Sequence, residues 1–254
     1  MARELSRCQL IERSINKKYR KDLWNPFVYG VKRYELIQPG DRIAVCLSGG
    51  RDSALLAKLL QELNRHTEVP FSLSFLTLDA GFSATDRAQL DEISQTLQIP
   101  VLIFSVSSAV SPDTLTEYAR KIGCNKIALG QHFNDVIEHT MEGLFYSSRL
   151  HAMRPKEHLS TGIDLIRPLY CVHASSIAAW ARYNQLTFLP QAPEPDSRLQ
   201  VRETIATLMG GNPIIEKSIF NSIHAVCLDT LPGYASDGIE HSFLEHYENS
   251  AVDS

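Results

Sequence analysis

Apolar and polar positions follow two alternating periods along most of the chain. Short apolar runs rich in strand-forming residues are followed by segments whose apolar positions recur at helical spacing. Repeated β–α units with short connections predict an α/β fold with a Rossmann-like, doubly wound parallel sheet. The predicted strands are residues 42–47, 71–78, 101–104, 126–130 and 163–168, and the predicted helices are residues 53–65, 85–97, 114–122, 135–147 and 175–184.

The segments that flank this core also have helical spacing. Residues 4–35 are predicted to form helices, with a break at Asn25-Pro26 because a residue before proline avoids the α region. Residues 201–228 are predicted to be helical with a break at 210–213, and the last twenty or so residues to form a loose acidic tail. Residues 187–189 are predicted to be a short extended piece before a proline-rich loop at 190–195.

These patterns predict three regions. They are basic N-terminal helices at 1–37, the α/β domain at 38–190, and a helical C-terminal extension with an acidic tail at 191–254.

Composition excludes several classes of protein. No apolar run reaches the roughly 18 residues of a membrane-spanning helix. The N-terminal segment is charged throughout, unlike a signal peptide, so we expect a cytoplasmic protein with no membrane partner. The five cysteines are scattered and never spaced as C-x-x-C, which argues against a disulfide framework and against a local metal clip.

Charge is unevenly distributed along the chain. The net charge is -4, but residues 1–35 contain nine Lys and Arg residues against four acidic ones. A basic segment on an acidic body is typical of a protein with a phosphate-rich partner, and an ordinary solvated helix face explains it equally well.

One loop has the chemistry of a phosphate site. Ser48-Gly49-Gly50-Arg51-Asp52-Ser53 lies directly between a predicted buried strand and a predicted helix. Glycines let backbone N–H groups approach a ligand, the helix start favours an anion, and Asp52 can hold Mg²⁺. An ordinary glycine turn is the alternative interpretation. The loop matches neither the Walker pattern nor the dinucleotide fingerprint.

The same loop resembles the PP-loop signature, Ser-Gly-Gly-x-Asp-Ser, of the N-type ATP pyrophosphatases. Residues 126–135 (KIALGQHFND) resemble the later strand and loop of that family, where Gly-His-His-x-Asp-Asp is common. Residues 75–82 (FLTLDAGF) resemble the strand end that packs on adenine. GLFYSSRLHAMRPK (143–156) and IRPLYC (166–171) resemble the tRNA 2-thiocytidine synthase branch.

The resemblance implies an adenine nucleotide alpha hydrolase-like fold and ATP with Mg²⁺ as cofactors. It also implies AMP-forming adenylation of a carbonyl oxygen on a tRNA nucleobase, followed by substitution with sulfur or an amine. The implied catalytic residues are Asp52, Asp135, His132 and Cys124, and Asp52 and Asp135 would hold the metal ion. The implied nucleotide-binding residues are Leu47, Ser48, Gly49, Gly50, Arg51, Asp52, Ser53, Leu78, Asp79 and Gly130.

Four of these candidates have a simpler interpretation. His132 and Asp135 could cap the helix that follows them, and Asp79 could be a turn residue before Gly81. Cys124 could be a packed small residue; its functional interpretation is a thiol that accepts sulfur as a persulfide. Arg51 would meet phosphate through two parallel hydrogen bonds.

The resemblance breaks at the cysteines. The 2-thiocytidine synthases carry a C-x-x-C pair before the helix predicted at 114–122 and another after residue 189, and these hold an iron–sulfur cluster. Both pairs are absent from this sequence, so we expect no iron–sulfur cluster.

Without those cysteines the sulfur route and the acceptor stay open. The nucleophile could be a persulfide from a sulfur-donor protein, ammonia or another amine, and the substrate could be a free nucleobase or metabolite. A catalytically reduced ATP-binding protein is the remaining alternative. The candidate partners are therefore a tRNA, a small-molecule nucleobase, a sulfur-donor protein and a second copy of the chain.

Overall fold

The computed structural model describes residues 4–107, 110–190, 194–212, 214–236 and 238–245. The chain divides into two compact units, residues 1–203 and 204–254. No helix in the described residues is both long enough and apolar enough to cross a membrane. The helices are α1 (Arg7–Asn16), α2 (Asn25–Arg33), α3 (Arg51–His66), α4 (Ala84–Leu97), α5 (Pro112–Lys121), α6 (Phe133–Tyr146), α7 (Ala174–Tyr183), α8 (Asp196–Gly211) and α9 (Ile215–Ser222).

A six-stranded sheet forms the centre of the first unit, in the order β3–β2–β1–β4–β6–β5. All neighbouring pairs are parallel except β5 and β6, which are antiparallel. The predicted doubly wound parallel sheet is confirmed. The strands are β1 (Arg42–Cys46), β2 (Ser72–Asp79), β3 (Val101–Ser105), β4 (Lys126–Ala128), β5 (Lys156–His158) and β6 (Asp164–Ile166).

The order of the strands places a crevice between β1 and β4. The chain runs from β1 to β2 and β3 on one side, and then returns to β4 on the other side of β1. Loops that leave β1 and β4 at their carboxyl ends therefore diverge, and this switch point is where open α/β sheets bind ligands.

Two apolar clusters cover the faces of the sheet. Ile43 and Val45 belong to the larger cluster and Ala44, between them, to the smaller one, as the two-residue period of a strand requires. The larger cluster also contains side chains from α1, α2, α3, α4 and α7, whereas the smaller one contains Ala119 of α5 and Cys124. The basic N-terminal helices are thus part of the core of the first unit.

Strand β5 was not predicted. Its sequence, Lys-Glu-His, has no apolar alternation, and its side chains are only partly covered. The strand forms because its backbone pairs with β6, where Lys156 is opposite Ile166 and His158 opposite Asp164.

The break predicted at Asn25-Pro26 is wrong. The first helix ends at Asn16, a turn follows at residues 17–19, and a π-helical turn (Arg20–Trp24) leads without interruption into α2. The N–H of Asn25 bonds to the carbonyl of Arg20, five residues back. Pro26 lies in the first turn of α2, where a missing N–H is tolerated.

The C-terminal predictions also need correction. Helix α8 begins at Asp196, not at 201, and the expected loose tail contains a hairpin of β7 (Gly233–Ser236) and β8 (Ile239–Ser242) in the second unit. The ring of Tyr234 stacks on His241 across the hairpin, 4.8 Å between ring centres. Residues 246–254, the rest of the predicted tail, lie outside the described residues.

A buried ion cluster attaches α1 to α3. Lys58 is only 1% exposed, and its Nζ lies 2.7 Å from Glu12 Oε1 and 2.9 Å from the carbonyl of Leu97. Arg65 also donates to Glu12, at 2.8 Å. Burial by itself raises the pKa of Glu12, but the hydrogen bonds from Arg65 and Lys58 outweigh it and lower that pKa to about 2.

The substitution Glu12→Gln should make the free energy of unfolding depend less on pH under acidic conditions. Because the pKa of Glu12 rises from about 2 in the folded protein to its ordinary 4.5 on unfolding, its contribution is complete above pH 4.5 and is lost as the pH falls. Between pH 7 and pH 3, urea unfolding should show the wild type losing about 2 kcal/mol more than the variant. Replacing the exposed Glu68→Gln should leave the wild-type slope unchanged, and equal slopes for wild type and Glu12→Gln would contradict this assignment.

Candidate nucleotide-binding site

The glycine loop, residues 47–53, leaves β1 and turns directly into α3. Gly49 has φ +79°, a left-handed conformation that favours glycine, and Gly50 is extended at the start of the helix. The Ser48 hydroxyl accepts from the N–H of Gly50 at 3.3 Å and lies 3.1 Å from the Ser53 hydroxyl. Ser53 also donates to the carbonyl of Gly50, at 3.1 Å, so the two serines hold the turn from within.

The start of α3 has no side-chain cap. Gly50 has no side chain to cap the helix, and the first N–H to bond back to it is that of Ala54, at 3.2 Å. The first turn of a helix carries N–H groups without intrahelical partners and the positive end of the helix dipole. A phosphate group satisfies both.

Two close approaches shape the glycine loop. A Cβ on Gly49 would lie 2.3 Å from Cδ1 of Leu189, and the Leu189 N–H bonds to the Gly49 carbonyl at 3.0 Å. A Cβ on Gly130 would lie 2.9 Å from the backbone nitrogen of Ser53. The predicted extended piece at 187–189 is not a β-strand, and its last residue instead packs on the glycine loop.

The loop that follows β4 faces the glycine loop. His132 is the N-cap of α6: its N–H donates to Asp135 Oδ2 at 2.8 Å, and its Nδ1 accepts from the Asp135 N–H at 3.4 Å. The capping interpretation of these residues therefore describes their local structure.

The two loops also interact electrostatically. Burial raises the pKa of Asp52, the neighbouring His132 and Arg51 oppose that rise, and the negative charge of Asp135 adds to it. The structure thus brings Asp52, His132 and Asp135 together at the switch point.

Two arginines complete this group, and the sequence analysis missed both. Arg198 donates to Asp135 Oδ1 at 2.7 Å and to Glu138 Oε2 at 3.2 Å. Arg202 binds both carboxylate oxygens of Glu138, at 2.9 and 2.8 Å. Arg198 and Arg202 are four residues apart on one helix face, but the helix was predicted to begin only at residue 201. A correct helix start would have placed them on one face.

Gln131 and Asn134, which depart from the family pattern, both accept hydrogen bonds from neighbouring segments. Gln131 accepts from Nε of Arg167 at 2.5 Å, and Arg167 also forms an ion pair with Glu157 at 2.6 Å. Asn134 accepts from the backbone N–H of Ala174, the first residue of α7, at 3.0 Å. The loop after β4 is therefore held from β5, β6 and α7.

Asp79 has the contacts of a turn residue. Its Oδ1 accepts from the N–H groups of Gly81 (2.9 Å) and Phe82 (2.7 Å), and Arg87 pairs with Oδ2 at 2.7 Å. These backbone hydrogen bonds, with the Arg87 charge, lower the pKa of Asp79. Leu78 is buried in the smaller apolar cluster.

Cys124 is not brought to this group. It comes two residues before Lys126, which pairs with Ile43 near the beginning of β1, whereas the glycine loop follows the end of that strand. It is buried in the smaller apolar cluster, and burial raises the pKa of its thiol, which disfavours the reactive thiolate.

The donor atoms fit a magnesium ion better than an iron–sulfur cluster. Carboxylate oxygens are the ligands that Mg²⁺ prefers, and a divalent cation would offset the repulsion between Asp52 and Asp135. Within the described ranges, no three His, Cys, Asp or Glu side chains are grouped as a metal site. The five cysteines are free thiols that form no such group, so the residues present do not fit a cluster held by cysteine thiolates.

Fold and site together define an ATP-using α/β enzyme with a glycine loop at the carboxyl end of β1. The family model described as a PP-loop domain matches residues 12–208. The chain belongs to the PP-loop family.

Its relatives include proteins named tRNA-cytidine(32) 2-sulfurtransferase. The one from Geobacter metallireducens is 30% identical over 232 residues, which cover 82% of this chain and 90% of that protein. The one from Citrifermentans bemidjiense is 28% identical over 221 residues, covering 77% and 87%.

A solved structure shares the fold. The U34-tRNA thiolase NcsA from Methanococcus maripaludis, with its [4Fe-4S] cluster, matches with a TM-score of 0.64 at 15% identity, covering 84% of this chain and 80% of that one. At this identity the match supports the architecture.

Gly49→Ala should weaken ATP binding because its Cβ meets Leu189 and its φ is left-handed. Strain of about 1–3 kcal/mol plus the displaced loop should raise the Kd for ATP at least about tenfold by calorimetry. Gly40→Ala is a matched control, since Gly40 has φ +83° but no atom within 4 Å of the added Cβ. Equal ATP affinity in the two variants would show that Leu189 does not constrain the loop.

Proposed function

We propose that this enzyme activates the C2 carbonyl oxygen of a tRNA cytidine with ATP and then exchanges that oxygen for sulfur. The observation that carries the proposal is the uncapped start of α3, which the glycine loop places beside Asp52, His132 and Asp135. Relatives named tRNA-cytidine(32) 2-sulfurtransferase support the choice of base and of carbonyl.

The first step converts the C2 oxygen, which is a poor leaving group, into a good one. The C2 oxygen attacks the α-phosphorus of ATP, pyrophosphate departs, and the oxygen becomes an O-adenylate. Hydrosulfide then adds at C2, the C2–O bond breaks, AMP departs, and a proton is lost to leave 2-thiocytidine. Both steps need positioning and charge stabilisation more than covalent help from the protein.

The residues of the site have distinct roles in this scheme. The N–H groups at the start of α3 and the Arg51 guanidinium bind the departing pyrophosphate. Because Nδ1 of His132 accepts from Asp135, Nε2 carries the ring proton and can donate to a phosphate oxygen. Asp52 and Asp135 would hold Mg²⁺, which supplies neutralising charge for the phosphates.

Sulfur has to come from outside the chain. The cysteines do not fit a cluster, and Cys124 is buried away from the glycine loop. We therefore propose that a sulfur-donor protein or free sulfide supplies hydrosulfide to the O-adenylate.

The products of ATP turnover test this chemistry. With tRNA and sulfide, the wild type should release AMP and pyrophosphate, measured by chromatography of radiolabelled ATP. Asp52→Ala should lower turnover by at least about a hundredfold, because it removes a charge beside the phosphates. Asp91→Ala, on the exposed side of α4, is the control and should turn over normally. ADP and phosphate as products would refute the assignment.

The basic N-terminal segment supports a tRNA substrate. Lys17, Lys18, Arg20 and Lys21 are all exposed at the end of α1 and in the π-helical turn. Nζ of Lys18 lies 3.5 Å from the ring centre of Tyr183 on α7, so a charge and an exposed aromatic ring share this face. Phosphates and bases are the complementary ligands for such a pair.

Changing those four residues to alanine should weaken tRNA binding while ATP binding is unchanged. Each lost phosphate contact should reduce the salt slope of log affinity by about 0.7–0.9, measured by filter binding across salt concentrations. Alanine at the exposed Lys121 and Lys217 is the control. Rapid turnover of a free nucleobase, with no response to tRNA, would instead favour a small-molecule substrate.

A further inference from the structure

An exposed surface begins in the last turn of α6, continues beyond that helix, and has no role in the site described above. Residues 143–156 (GLFYSSRLHAMRPK) contain Arg149, His151, Arg154 and Lys156 and no acidic residue. This is notable in a chain whose net charge is -4. A local positive field of this kind attracts a polyanion.

The same segment exposes large apolar side chains. Phe145 is 50% exposed and Leu150 57%, and Leu144 and Tyr146 are also exposed. Single exposed apolar residues are ordinary, but a contiguous group marks an interaction site. Aromatic rings among basic residues are the combination that binds unpaired nucleotides, because rings stack on bases while cations meet phosphates.

Specific contacts hold the backbone of this segment in place. The Arg149 N–H bonds to the carbonyl of Gly143 at 3.1 Å, and the ring of His151 packs 4.9 Å from His139. A Cβ on Gly143 would lie 2.6 Å from His151, so the chain folds back tightly on α6. The carbonyl of Met153 accepts from the Tyr170 hydroxyl at 3.0 Å. The exposed side chains therefore project from an ordered support.

One guanidinium connects the segment to the site. Arg167 donates through Nε to Gln131 in the loop after β4 and through Nη1 to the carbonyl of Arg154, each at 2.5 Å. The other end of the segment is joined through α6, which begins beside Asp135. Phe145 lies ten residues beyond Asp135 on that helix, about 15 Å at 1.5 Å per residue.

We propose that residues 143–156 bind the single-stranded RNA next to the reacting nucleotide, with Phe145 stacking on a neighbouring base and Arg149 contacting a phosphate. This rests on the proposed tRNA substrate and deepens it. The separation of Phe145 from Asp135 makes its ligand a flanking nucleotide and not the base that reacts. RNA is negatively charged, and this segment has basic side chains and no acidic ones, so the two are complementary.

The test compares Phe145→Ala and Arg149→Glu with matched controls in the second unit. Phe243 is also 50% exposed, so Phe243→Ala removes an equally exposed ring, and Lys217→Glu makes the same change in charge as Arg149→Glu. Fluorescence anisotropy with labelled tRNA should show about a tenfold rise in Kd for Phe145→Ala. Arg149→Glu should weaken binding and lower the salt slope, while ATP affinity stays at the wild-type value in every variant.

Photocrosslinking gives a second readout that does not depend on affinity. Irradiated wild-type complexes should yield a tRNA-linked peptide that contains Phe145. Variants at Phe145 and Arg149 that bind like the wild type, or controls that weaken binding equally, would overturn the proposal. A change of oligomeric state in Phe145→Ala with unchanged tRNA affinity would identify a protein interface instead and also overturn it.

The outcome is separable from that of the proposed function. A wild type that binds tRNA but releases no AMP contradicts the proposed chemistry, and the binding data still decide the role of residues 143–156. If the wild type turns tRNA over and both variants do so equally well, only the proposed role of residues 143–156 is contradicted.

Discussion

Two backbone segments approach closely where β1 and β4 end, and the geometry of the site depends on that approach. Gly130 lies so near the start of α3 that a Cβ would come within 2.9 Å of the Ser53 nitrogen. On the opposite side, Leu189 covers Gly49 and bonds to its carbonyl. A side chain at either glycine would push the loops apart. The N–H groups at the uncapped start of α3 would then lose their position relative to Asp135 and His132.

Charge balance is the second constraint on this site. Burial and the negative charge of Asp135 raise the pKa of Asp52, while His132 and Arg51 oppose that rise. Arg198 extends the balance by pairing with Asp135 and Glu138, and Arg202 by pairing with Glu138 and Glu194. Helix α8 thereby sets the charge of the first turn of α6. Asp135, Glu138 and Glu194 are thus paired with arginines of the protein itself.

The departures from the family pattern divide into two kinds. Gln131 and Asn134 have partners in Arg167 and Ala174, so they keep the loop after β4 in position with neutral side chains. The missing cysteines have no such replacement, because those that remain form no metal-ligand group among the described residues and Cys124 packs in the core. The loop after β4 therefore keeps its support, whereas the cysteine pairs of the family pattern have no counterpart in this chain.

The sequence alone determined the α/β class, the parallel sheet and the glycine loop. Periodicity and the SGGRDS motif are local signals that survive without knowledge of tertiary contacts. Local patterns misplaced the N-terminal helix break, since a π-helical turn leads directly into the helix whose first turn contains Pro26. They also missed β5, which forms by pairing with β6. Only the tertiary structure separated Cys124 from the glycine loop and brought Arg198 to Asp135 and Leu189 to Gly49. Contacts between residues 60 to 140 positions apart leave no period in a sequence, because they depend on the order of strands and the packing of helices.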